Sequence, residues 1–154
     1  MKELSDKLVR VVKSAEASLL LVPEVESGKP ILSGGWSRKQ VLGHLIDSAS
    51  NNHQRFVRAA LQSSLDFPSY DQDGSVQVQA VEEADWPLLV ALWADYNCYL
   101  AHVIARLPAS KLETPCRIGS DEPVTLKFLA EDYLRHLLHH LGQIGATARF
   151  ENGI

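Results

Sequence analysis

Residues Glu131-Asp132-Tyr133-Leu134-Arg135-His136-Leu137-Leu138-His139-His140-Leu141-Gly142-Gln143-Ile144 carry three of the six histidines in a chain of 154 residues. They read as helix. At about 100° per residue, Leu126, Leu129, Ala130, Tyr133, Leu137, Leu141, Ile144 and Ala148 fall on one apolar stripe. His140 lies inside that stripe, His136 at its edge and His139 well outside it. Side chains four apart on a helix stand about 5–6 Å from one another, so His136 and His140 can point at one ion. The pair is half of a metal site, and His139 is expected to be solvated or to support a ligand. Histidines on an apolar face also occur as hydrogen-bonded core residues, so the pair needs further donors. Zinc sites take three protein ligands plus water when catalytic and four when structural.

Upstream of this segment, the chain reads as three more long helices. Leu4, Leu8, Val11 or Val12, Ala15, Leu19 and Val22 recur at helical spacing, which predicts a first helix over about 4–22. Pro23, Gly28, Pro30, Gly34 and Gly35 punctuate a loop. A second helix should then start sharply. Ser37 and Gln40 fit a capping box, and Trp36 with Val41 fits a hydrophobic staple. Leu42, Leu45, Ile46, Ala49, Phe56, Val57 and Ala60 carry its apolar face to about Leu61.

Residues 63–83 read as a long loop with one helical turn, in which Tyr70, Asp71, Gln72 and Asp73 could line a pocket mouth or only connect helices. A third helix is expected from near Asp85 to Leu107, with Pro87 in its first turn and Leu88, Leu92, Trp93, Tyr96, Leu100, Val103 and Ile104 buried. Residues 108–123 are irregular, with a short extended piece at 114–118. Thr125 offers an N-cap for the fourth helix, which should end near Arg149. Four amphipathic helices with no strand alternation of consequence predict an all-α, antiparallel four-helix bundle, one domain over 1–154.

Composition narrows the partners. A net charge of −4, a pI near 5.8 and no Lys/Arg run give no electrostatic footprint for nucleic acid or an anionic membrane. Cys98 and Cys116 form no CxxC motif and no disulfide framework, which suits a reducing cytoplasm, and either is a candidate buried thiol. The charged N-terminus lacks a signal-type apolar core, and no stretch is expected to approach the roughly 20 apolar residues that span a bilayer. A soluble cytoplasmic protein is expected.

Bundles build metal sites from facing helices, so the remaining donors should come from His44, His53 or His102. His44 lies one turn after the strongly marked start of the second helix. Ser48, Asn51 and Arg55 follow it at i+4, i+7 and i+11. That polar line is either a solvated face or a pocket wall. His53 lies near the apolar stripe without such a polar line, and His102 sits between Ala101 and Val103, so both fit structural roles better.

These motifs resemble the DinB/YfiT-like superfamily of metal-dependent four-helix-bundle proteins. The match rests on Gly35-Trp36-Ser37, then His44-Leu45-Ile46-Asp47, then the late His-x-x-His-His-Leu-x-Gln-Ile at His136 to Ile144, and covers essentially the whole chain. Carried over by motif, the superfamily's metal triad falls on His44, His136 and His140. Spacing alone favours His136 and His140 but does not choose His44.

The resemblance implies a divalent cofactor, Zn²⁺ or Ni²⁺, and thiol-dependent transfer using bacillithiol, mycothiol or glutathione. Three neutral imidazoles leave a coordination position at which such an ion can deprotonate a thiol or water. The expected function is therefore a thiol-dependent S-transferase acting on a small-molecule thiol and an electrophilic substrate, with a metal-activated hydrolase as the alternative. A metal-binding stress protein without turnover, or a bundle that associates through its helix faces as a homodimer, would show the same histidines. One departure is composition: no arginine cluster stands out beyond Arg55, Arg58 and Arg135. Asp47, Ser48, Asn51, Arg55 and Gln143 are the supporting or substrate-contacting candidates. The line from His44 to Arg55 spans about 16 Å at 1.5 Å rise per residue, a length that suits a small thiol with its carboxylate on Arg55.

Overall fold

A computed structural model describes residues 1–32 and 35–146; Gly34, Ala148 and Arg149 of the sequence pattern lie outside them, and the last helix ends at Gln143, short of the expected end near Arg149. Four long helices form the frame: α1 (Lys2–Leu19), α3 (Arg38–Leu61), α5 (Trp86–Ala105) and α6 (Leu126–Gln143). Short elements fill the connections: α2 (Glu24–Ser27), β1 (Leu65–Phe67), α4 (Gln72–Val78), β2 (Pro115–Ile118) and β3 (Val124–Thr125). Helix α1 packs on α5 and α6, and α3 packs on the same two, so the helices close a four-membered ring around one core. Leu8, Leu42, Leu45, Phe56, Trp93, Leu100, Ile104 and Leu137 are fully buried there. A buried polar contact crosses it, where the Tyr133 hydroxyl donates to Asn97 Oδ1.

Helix starts follow the local chemistry. The Ser37 side chain accepts from the Gln40 amide, and the Gln40 side chain accepts from the Ser37 N–H, closing the capping box that launches α3. Thr125 caps α6 through the Phe128 N–H. Pro87 sits in the first turn of α5, where its missing N–H removes no helical bond.

Three expectations are corrected. Leu88 and Leu92 of α5 are exposed; the buried line runs instead through Leu89, Val90, Trp93, Ala94, Asn97, Leu100, Ala101 and Ile104. An apolar helix with residues on several sides leaves the choice of face to its neighbours. Helix α5 is also, by length and composition, apolar enough to cross a membrane, contrary to the expectation that no stretch is. Here that apolarity is used in packing, since α5 lies against both α1 and α3. Residues 63–83 are more ordered than a loop with one turn, holding β1, α4 and a 3₁₀ turn at Val81–Glu83.

The small sheet has order β1-β2-β3, with β1 parallel to β2 and β2 antiparallel to β3. Leu65 pairs with Cys116 and Phe67 with Ile118, so the sheet straps the C-terminal end of α3 to the start of α6. Cys116 is buried and Cys98 half-buried; both are free, and burial raises both thiols above their ordinary range.

Lys39 anchors the start of α3. It is buried, donates to the Glu82 and Ala84 carbonyls at 3.2 and 2.7 Å, and pairs with Glu24. Four residues on, Gly43 permits a close approach: a Cβ there would stand 2.7 Å from the Val81 side chain. Lys39→Met should lower stability by about 1–3 kcal/mol, because two carbonyls lose their charged donor. Urea unfolding measures it, and a loss below about 0.5 kcal/mol would show that this anchor is not needed.

Candidate metal centre

His44 lies on α3, one turn beyond the capping box, and is 1% exposed. His136 and His140 lie on successive turns of α6 and are half-buried. Their donor atoms all fall within 4.8 Å of one another, and among the described residues no fourth His, Cys, Asp or Glu joins them. His136 Nε2 is 3.2 Å from His44 Nε2 and 3.1 Å from His140 Nε2. The Trp36 ring packs on His44 with centroids 5.4 Å apart.

Proton counting shows what this arrangement suits. His140 Nδ1 donates to Gln143 Oε1 at 2.8 Å, so in the neutral ring Nε2 carries a bare lone pair. Both close contacts converge on His136 Nε2. If that nitrogen is bare, it faces the bare lone pair of His140. If it is protonated, it can donate to His140 but has no lone pair left for His44. With the proton, His44 and His140 compete for one N–H; without it, two lone pairs face each other at 3.1 Å, and a cation among the three nitrogens would engage all of them at once. The residues therefore fit a divalent ion.

Burial holds the set neutral, as ligands must be. Desolvation pushes His44 down to about 4, with the charges of His140 and His136 adding to it. His136 is likewise pushed to about 4 by burial and then by His140. His140 is lowered by burial, partly offset by its bond to Gln143.

Other side chains support the ring. The Gln143 amide accepts from His140 and donates to His139 Nε2 at 3.1 Å, so His139 stands behind the cluster and exposed, outside the triad. Ser48 Oγ lies 3.5 Å from His136 Nδ1. The Asp47 carboxylate accepts from Gln79 Nε2 at 2.9 and 2.8 Å, rather than from a histidine, and ties the end of α4 to α3. His53 contacts the Tyr96 hydroxyl at 3.1 Å, a structural role. His102 is exposed and stacked on Tyr99, so it is a surface residue rather than a core one.

Two cavities flank the triad. An apolar one of about 460 Å³ is lined by Ile31, Leu32, Trp36, Val41, His140 and Gln143. A polar one of about 260 Å³ is lined by Ser48, Asn52, Arg55, Tyr70, Asp132 and His136, with Gln72 bordering both. Of the polar line on α3, Ser48 and Arg55 line this cavity, whereas His44 and Asn51 do not. Asn51 turns back to donate to the Asp47 carbonyl, and Asn52, bonded to the Ser48 carbonyl, takes its place in the wall. The i+4 step from Ser48 to Asn52 was the available signal. Asp71 caps α4 through the Gly74 N–H, Asp73 is exposed, and Tyr70 and Gln72 line the cavity. Arg58 and Arg135 lie outside the cavity lining: Arg58 bonds Gln54, and Arg135 pairs with Asp132.

Fold and site together define a helical-bundle protein with three imidazoles converging between two helices. The family model described as the DinB superfamily matches residues 2–144, and the chain belongs to that superfamily. A protein named "Putative metal-dependent hydrolase YfiT" from Bacillus subtilis (strain 168) is 25% identical over 153 residues, covering 96% of this chain and 86% of the relative. A "Putative metal-dependent hydrolase" of Bacillus pumilus (strain SAFR-032) is 24% identical over 142 residues, covering 90% and 79%. The solved structure of Bacillus subtilis YfiT, described as "a probable metal-dependent hydrolase with an unusual four-helix bundle topology", aligns with a TM-score of 0.78 at 24% identity, over 97% of this chain and 88% of that one. That likeness establishes the fold.

The depressed histidines predict a pH effect. Between about 6.5 and 4 the unfolded chain binds protons that the folded, metal-free protein refuses, so stability should fall as pH drops through that window. Urea midpoints at pH 7.5, 6 and 5 test it. The wild type should lose more stability than His136→Gln over this range; parallel losses would contradict the depression.

Proposed function

We propose that the chain is a metal-dependent enzyme in which His44, His136 and His140 hold a divalent ion, Zn²⁺ or Ni²⁺ by the preference of imidazole. The observation that carries this is the convergence of three imidazole nitrogens, one buried and two half-buried, with no fourth donor among the described residues. A divalent ion held there supplies Lewis acidity, lowering the pKa of a thiol or water that reaches it.

The chain's own residues then do three things. Gln143 fixes the His140 tautomer, and Ser48 stands at the far nitrogen of His136. Trp36 and the side chains around it limit water on the His140 side. Arg55 offers a cation in the polar cavity that His136 borders.

We read the nucleophile as a low-molecular-weight thiol and the activity as S-transfer. Two cavities of opposite polarity on either side of one triad favour two substrates, a polar thiol beside Arg55 and an apolar electrophile beside Trp36. Hydrolysis is the second reading, favoured by the names of the Bacillus relatives. Free cysteines and an acidic composition fit a cytoplasmic setting.

Alanine variants decide the ligand set. His44→Ala, His136→Ala and His140→Ala should each lower metal content at least ten-fold, whereas His139→Ala should retain most of it; undiminished occupancy in any of the first three would remove that residue from the site. Metal-loaded protein should then consume an alkylating electrophile only when glutathione, bacillithiol or mycothiol is present, and chelation should abolish turnover. Metal-dependent ester cleavage without thiol would move the assignment to a hydrolase. Full occupancy with neither activity would support a non-catalytic metal-binding protein.

A further inference from the structure

Arg55 combines partial burial with an unpartnered guanidinium nitrogen. It forms no ion pair with the described residues, although the buried Lys39 is paired with Glu24. It is half-buried, its Nε is shielded from solvent without a hydrogen-bond partner, and its guanidinium lies over the Phe67 ring at 5.4 Å. A desolvated guanidinium with open donors suits a planar oxyanion, which it can hold through two parallel bonds. Phe67 and the strap formed by β1 and β2 limit where that group can lie.

The same cavity carries the opposite charge on other walls. Asp121, from the turn between β2 and β3, and Asp132, from α6, both line it. Asp132 is already engaged by Arg135, and Asp121 forms no ion pair with the described residues. One free cation, one free carboxylate at Asp121 and a second carboxylate shared with Arg135 disfavour a dianion such as phosphate and favour a ligand bearing one carboxylate and one ammonium. Ser48, Asn52 and Tyr70 add neutral polar groups. A volume of about 260 Å³, just below the usual range for drug-sized ligands, suits a small headgroup.

We propose that this cavity is a subsite for a compact zwitterion of the amino-acid type, its carboxylate on Arg55 and its ammonium at Asp121 and Asp132, with the side chain directed to His136. This deepens the reading above by naming the class of nucleophile-bearing substrate, and it rests on that reading only for the group that reaches His136. The charge recognition stands independently of thiol chemistry.

The test therefore uses thiol-free probes. Zinc-loaded, ¹⁵N-labelled protein is titrated with L-serine, with 3-hydroxypropionate, which lacks the ammonium, and with ethanolamine, which lacks the carboxylate. L-serine should bind at least ten-fold more tightly than either. Arg55→Gln should erase its advantage over ethanolamine and keep that over 3-hydroxypropionate; Asp121→Asn combined with Asp132→Asn should do the reverse. Arg55→Lys, which keeps the charge but loses the two-pronged contact, should retain part of the advantage and guards against a folding defect in the glutamine variant. Equal affinity for all three probes, or unchanged L-serine affinity in Arg55→Gln, would overturn the proposal. Since no probe carries a thiol, failure of S-transfer in the earlier assay and failure here are separate results.

Discussion

Three imidazole nitrogens are held within 4.8 Å of one another by the packing of α3 against α6, and the rest of the structure is arranged around that cluster. Burial keeps the rings neutral, and neutrality leaves lone pairs facing inward at 3.1–3.2 Å. In water such rings would rotate apart or take up protons. Here, rotation is opposed on several sides: His44 is covered by Trp36, and His140 is bonded through Gln143 to His139.

Holding His44 in place begins well before the histidine. The capping box at Ser37 sets the first turn of α3, and the buried Lys39 ties that turn to the backbone of residues 82 and 84. Gly43 then allows the Val81 turn to pack against the helix next to the ligand. On the far side, the β1–β2 pairing brings the loop after α3 against the segment before α6, which closes the polar cavity over Arg55. Stability and site geometry thus share contacts. A change at residue 39 or 43 acts on the position of His44 as well as on the fold.

Much of this was legible in the sequence, for physical reasons that differ by residue. The Ser37 cap, the Thr125 cap and the stripe of α6 depend on local geometry, which spacing encodes directly. His136 and His140 followed from the same spacing, whereas His44 required a family resemblance, because nothing local says which helix faces α6. Helix α5 shows the limit of periodicity: with apolar residues on several sides, its buried face was set by α1 and α3, and Leu88 and Leu92 came out exposed. The contact that Asp47 makes was out of reach of spacing for a related reason. Its partner, Gln79, lies 32 positions away in a segment with little pattern of its own. The two cavities, with Asn52, Asp121 and Asp132 in one of them, exist only once the strap and α4 are in place.

The central claim is that three imidazoles and no other protein group hold a metal ion between α3 and α6. X-ray absorption on zinc-loaded protein at neutral pH tests it most directly. The expected spectrum shows three nitrogen scatterers at about 2.0–2.1 Å with imidazole multiple scattering and one further light-atom ligand. A sulfur shell at about 2.3 Å in thiol-free buffer would place Cys98 or Cys116 in the site. That result, or a shell containing fewer than three imidazoles, would contradict the account.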